Sequence, residues 1–223
     1  MGFLDDLKRQ ADEAKARLNT DTSLLERNAA LTDAGCKTAS TYFSTLVQQL
    51  NVLQPRSKAT YRLDKRSVFE AMQLCDFRFD ARRTRLRGAE VYDHVALRWR
   101  MTSGARLTLV KNFLPDIEQL ESRLRRSGAQ VHTDTVRNPQ TNKLQEMRYE
   151  FNADFEAAVN IKPDHDRARL RFELVNVDGF ETVTVEFPAF EVGTARMDEL
   201  ARWLMGEPNG FLKGGQALRR IEA

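Results

Sequence analysis

Apolar and polar positions alternate along most of this chain with one of two periods, and the clearest run begins at Val95. Val95, Leu97, Trp99 and Met101 fall on one side of a strand whose other side carries Arg98 and Arg100. Ser103-Gly104 reads as a hairpin turn, and the strand after it leads to a helix with Ile117, Leu120 and Leu124 on one face and Gly128 behind it. A looser copy follows between Arg167 and Gly206. There Leu170, Phe172 and Leu174 alternate with charged residues, Asp178-Gly179 signals a turn, and Met197, Leu200 and Leu204 repeat the helical spacing of the first copy. The pattern predicts two strand-turn-strand-helix units that form an internal repeat.

Before this region the pattern is helical. Phe3, Leu4, Leu7, Ala11, Ala14 and Leu18 share one face of an amphipathic helix. Thr20 to Ser23 reads as a break, and Ser23 followed by Glu26 is a capping-box signal for a second helix that Pro55 ends. Beyond Pro55 the alternation turns to period 2. Phe77, Phe79 and Ala81 alternate with Arg78, Asp80 and Arg82, while Tyr149 to Ile161 reads as one bent strand or two. The Gly-containing tail after Phe211 reads as loosely ordered.

The expected fold is therefore α+β. A curved antiparallel sheet of about eight strands is built from two pseudo-repeated β-β-β-β-α halves and preceded by two N-terminal helices. Residues 1–55 form the helical pair, 56–206 the sheet domain (halves 56–128 and 129–206), and 207–223 the tail. Over residues 59–206 this order of elements resembles saddle-like folds such as the TATA-binding proteins. The resemblance carries no motif, so no functional residue is transferred from it.

Composition narrows the class of protein. The 223 residues are 41% hydrophobic and 30% charged, as in an ordinary globular chain. Two cysteines, Cys36 and Cys75, lack metal-ligand spacing, and no apolar run approaches the ~20 residues of a membrane span. These features favour a cytoplasmic location without cofactor or metal. The net charge of +3 is unevenly spread, because Arg78 to Lys111 holds nine basic residues against three acidic ones. A local excess of this kind points to a local anionic partner.

Chemistry follows from parity. Arg78 and Arg82 share a face of one strand, Arg98 and Arg100 of the next, and Arg169 and Arg171 of the corresponding strand in the second copy. Guanidinium groups laddered on a polar face suit phosphate or carboxylate. Asp76, Asp80, Glu173 and Glu186 share that face, and pairing with them would leave it inert. The leading reading is a non-enzymatic binding or adaptor protein that engages an anionic ligand or protein partner through this face or through its N-terminal helices, which are also the candidate contact of a homodimer. Nucleic acid is a weaker candidate, because Phe77, Phe79, Trp99 and Phe172 lie on the opposite parity and cannot stack bases. A carrier of a small apolar ligand or lipid, lined by Phe77, Phe79, Trp99, Tyr149 and Phe151, is the first alternative. An enzyme using His132 and Asp134 is the second.

Overall fold

A computed structural model describes the backbone of residues 3–222 and the side chains of residues 8–12 and 20–221. The chain opens with one helix, α1 (Phe3–Leu53), followed by two short strands, β1 (Tyr61–Arg62) and β2 (Val68–Phe69). Next come β3 (Gln73–Leu86), β4 (Ala89–Lys111), α2 (Leu114–Ser127), β5 (Val131–Arg137) and β6 (Leu144–Asp164). The chain ends with β7 (Arg169–Val175), β8 (Glu181–Pro188), a 3-10 turn at Ala189–Glu191, α3 (Thr194–Leu204) and β9 (Gln216–Glu222). Seven strands make one antiparallel sheet in the order β3-β4-β6-β7-β8-β9, with β5 also paired to β6.

The sheet is open and flat, which corrects the expected curved, saddle-like surface of two pseudo-repeated halves. The expected repeat fails at Gly104. The Ser103-Gly104 pair is not a hairpin turn: β4 runs through it as a single strand of 23 residues. Gly104, at φ 70°, sits in a bulge between Thr102, which faces Asp154, and Arg106, which faces Asn152. The Thr102 and Ser103 hydroxyls accept the Gly104 and Ala105 N–H groups there. Because β6 is a single strand of 21 residues, β4 keeps a ladder partner on both sides of the bulge. The second expected copy does contain a hairpin, β7 with β8, so the two units differ in their first element.

Two further expectations are corrected. The pair of N-terminal helices is one helix of 51 residues, about 76 Å long at 1.5 Å per residue. Thr20 to Ser23 has modest helix propensity but contains neither Pro nor Gly, so a capping signal alone does not end the helix. The apolar face read from Phe3, Leu4, Leu7, Ala14 and Leu18 lies outside the described side chains, and Ala11 is exposed. The tail expected to be loosely ordered contributes β9, which pairs with β8 from Glu186 to Glu181.

One face of the sheet is covered. Cys36, Ala39, Phe43 and Leu50 of α1, Leu120 and Leu124 of α2, and Met197, Leu200 and Trp203 of α3 join Leu97, Trp99, Met101, Phe155 and Phe172 in a single core. Gly35 permits the close approach of α1, since a Cβ there would meet the Leu170 side chain at 2.9 Å and the Ala189 carbonyl at 3.0 Å. Phe77 stacks on Trp99, and Phe155 meets Phe69 and Phe180 edge-on. The edge strand β3 is guarded at its bulge by Asn51, whose side-chain amide donates to the Phe77 carbonyl while its oxygen accepts the Phe77 N–H, both at 2.9 Å.

Asn176 ties α2 to the sheet. It is 1% exposed, adopts φ 55°, and its amide donates to the carbonyls of Arg126 and Glu156, each at 2.8 Å. Asn176→Ala should cost about 3 kcal/mol, combining two orphaned acceptors with a left-handed alanine. Asn176→Gly should recover about 1 kcal/mol of this loss by relieving the backbone. Urea unfolding of the two variants beside the parent checks both values.

Candidate anion-binding face

The uncovered face of the sheet follows from the registers. Arg78 stands opposite Arg98, and Arg98 opposite Ala158. One row along, Asp80, Ala96, Asn160, Glu173, Thr184 and Arg219 lie side by side across six strands. In the next row Arg82 stands opposite His94, and Lys162 opposite Arg171 and then Glu186. His94 and Lys162 are neighbours one step beyond the Val95–Ile161 pair. Four basic side chains thus run across four strands, a span of roughly 14 Å at 4.8 Å per strand.

Ala96 is the centre of this arrangement. It lies on the open face yet is only 2% exposed. Along its own strand it has His94 and Arg98; across the ladders it has Asp80 and Asn160; at the diagonals it has Arg78, Arg82, Ala158 and Lys162. A one-carbon side chain makes the floor and longer polar side chains make the rim. The sequence reading placed Arg78, Arg82 and Arg98 on one face, and register brings them around this alanine.

The arginines differ in how they are satisfied. Arg100 is paired with Asp76 at 2.7 Å, and Arg82 approaches Asp93 at 3.7 Å with both side chains more than half exposed. Among the described residues, Arg78, Arg98, Lys162 and Arg171 have no carboxylate within ion-pair distance. Arg169 stands apart, at the end of β7 between Asp164 and Pro188. Like charges directly opposite each other on adjacent strands are destabilising, and this face has two such pairs, Arg78 with Arg98 and Lys162 with Arg171. Asp80 and Glu173 occupy the row between them and do not reach either pair.

Lys162 lies one residue beyond Ile161, where the alternation read from the sequence ends. The period-2 pattern of β6 continues through Pro163 to Asp164 and places Lys162 on the same side as Ala158 and Asn160.

His94 registers the local field. Burial lowers its pKa below the ordinary histidine value, and Arg82, Lys162 and Arg98 push it the same way against the opposing pull of Asp80. The neutral imidazole is therefore the native form near pH 7.

The other candidates lie elsewhere. His132 and Asp134 approach to 3.3 Å on β5, where both side chains are more than half exposed. Phe77, Trp99, Tyr149 and Phe151 are buried in the core, with Phe79 packed against it. On the helical side a groove of about 780 Å³ runs between α1 and α3, lined by Lys37, Thr41, Tyr42, Gln49, Thr194 and Asp198. Tyr42 donates to Asp198 across it at 2.7 Å, and burial followed by that bond raises the phenol pKa. Among the described residues no group of three or more His, Cys, Asp or Glu side chains is placed to hold a metal ion, and no helix is long and apolar enough to cross a membrane. Comparison with known proteins adds no relative: no family model matches the chain, and no curated protein or solved structure matches it.

Two consequences follow for His94. Arg98→Glu should raise its pKa toward or above the ordinary value, as read by NMR titration of the imidazole. In the parent, the unfolded chain binds more protons than the folded one between the ordinary histidine pKa and the lower folded value. Stability should therefore fall as the pH drops through that window, and His94→Gln should flatten the fall in pH-dependent urea unfolding.

Proposed function

We propose that this protein is a non-enzymatic binding protein that engages an anionic ligand or partner through the open face of its sheet. The observation that carries the reading is the pairing of like charges across the ladders, Arg78 with Arg98 and Lys162 with Arg171, with no carboxylate at ion-pair distance from any of the four among the described residues. A surface evolved only for solubility gains nothing from cations set directly opposite one another. A bound anion turns that repulsion into shared attraction.

The topology supports the same assignment. All three helices pack on the other face, so the cations stand on a rigid floor of strands. Their Cα positions are set by hydrogen-bonded registers rather than by loops, which is how a scaffold presents several donors to one ligand at little ordering cost.

The test is binding of the full chain to polyphosphate and to polyglutamate. Binding to at least one should be measurable at low salt and should weaken steeply as salt rises. Charge reversal at Arg78 and Arg98 together should reduce affinity by at least about tenfold with the fold intact by circular dichroism. Equal binding by parent and variant, or no binding of either polyanion at low salt, would return the face to an inert, charge-laced surface.

A further inference from the structure

The niche over Ala96 has a charge balance that selects among anions. Its rim carries four permanent cations, Arg78, Arg82, Arg98 and Lys162, and two carboxylates lie beside it, Asp80 and Asp93, the latter near Arg82. The excess is two positive charges. We propose that this niche takes a single phosphate-monoester group, and that His94 becomes a protonated donor to it once the group is seated. The proposal rests on reading the open face as anion-binding and names the ligand class for that site.

Charge is the first argument. A phosphate monoester carries about two negative charges near pH 7, with a second pKa of about 6. It offsets two of the excess charges, whereas a carboxylate offsets one. A phosphodiester also carries one charge and likewise offsets one.

Donor count is the second. Three terminal oxygens accept from several directions at once, as a two-oxygen carboxylate does not. The rim supplies guanidinium groups from β3 and β4, an ammonium and the Asn160 side chain from β6, and the imidazole of His94. Ala96 is 2% exposed beneath these side chains, so the anion sits over the floor between their outer, charged ends.

The third argument is the place of His94. The charged groups that face it are Asp80 and Arg82 from β3, Arg98 on its own strand and Lys162 from β6, with Asp93 adjacent in the chain. Without a ligand, three of these cations oppose its protonation. A dianion among them reverses the sign of the local field, so the imidazole gains a proton as the ligand binds. By linkage, affinity must then rise as pH falls toward the monoester's own second pKa of about 6, below which the ligand loses charge.

The experiment is an NMR titration of the full chain with methyl phosphate, a phosphate monoester, and, at matched ionic strength, with acetate. Methyl phosphate should give saturable shifts of His94 and raise its pKa, and acetate should not. Arg98→Gln should weaken methyl phosphate binding by at least about tenfold. His94→Gln should retain binding but lose its rise as the pH falls toward about 6.5, above the range in which the monoester itself titrates. A dispersed spectrum for each variant establishes that it is folded. A phosphoserine peptide and vesicles containing phosphatidic acid then separate a phosphorylated side chain from a lipid headgroup as the source of the monoester. Equal responses to methyl phosphate and acetate, or binding of polyphosphate or polyglutamate without a shift of His94 induced by methyl phosphate, would overturn the monoester assignment while leaving the anion-binding face in place. Failure of every anion to bind would overturn both.

Discussion

The long ladder between β4 and β6 is the constraint on which the rest of the molecule depends. It runs from Val95–Ile161 at one end to Lys111–Met147 at the other, through a bulge at Gly104. β3 builds outward from β4, β5 and β7 share the far edge of β6, and β8 and β9 extend the sheet. Every row on either face inherits its composition from the register of this ladder. A shift of one residue would carry Arg98 and Arg100 into the core and Trp99 into solvent, at a cost far above that of any surface ion pair. The apolar side chains of the covered face therefore hold the cations of the open face in register.

The division of labour between the faces explains the distribution of polarity. The covered face is filled by three helices and by aromatic pairs such as Phe77 with Trp99 and Phe172 with Phe187. Among the described residues no helix covers the open face, and its central strands carry small residues, Ala96, Ala158 and Asn160, where long ones would be expected to shield the backbone. The small residues make a shallow floor, and cations rim it.

Bulges refine this plan locally. The irregularity between Cys75 and Arg78, with Asp76 at φ 54°, sets Cys75 opposite Arg100 on the open face while Phe77 points into the core. A second irregularity, between Arg82 and Arg83, frees the backbone of Tyr92. Asp33 of α1 accepts the Tyr92 N–H at 2.9 Å, and Nε2 of His165 lies 2.8 Å from the Tyr92 carbonyl, so that nitrogen carries the proton. The tip of the β3–β4 hairpin is thereby fastened both to the helix and to the β6–β7 turn, where Arg87 pairs with Asp166. The hairpin that bears Arg78, Arg82 and Arg98 is thus held at both ends.

Much of the local structure was legible in the residues alone. Period-2 alternation correctly assigned Trp99 to the core and Arg98 to the other face, and the helical spacing of Ile117, Leu120 and Leu124 identified α2 and its buried stripe. Parity is a property of the backbone pleat, so it can be read without knowing any partner strand. What it could not convey was whether Ser103-Gly104 is a turn or a bulge, or whether Thr20 to Ser23 ends a helix. Both outcomes depend on what lies alongside: a paired β6 across Gly104, and at Thr20 only a modest local propensity against an otherwise continuous helix. The candidate site was legible as a list of arginines and illegible as a place. Register alone gathers Arg78, Arg82, Arg98, His94 and Lys162 around Ala96, because strands distant in sequence meet only through hydrogen bonds that no local pattern encodes.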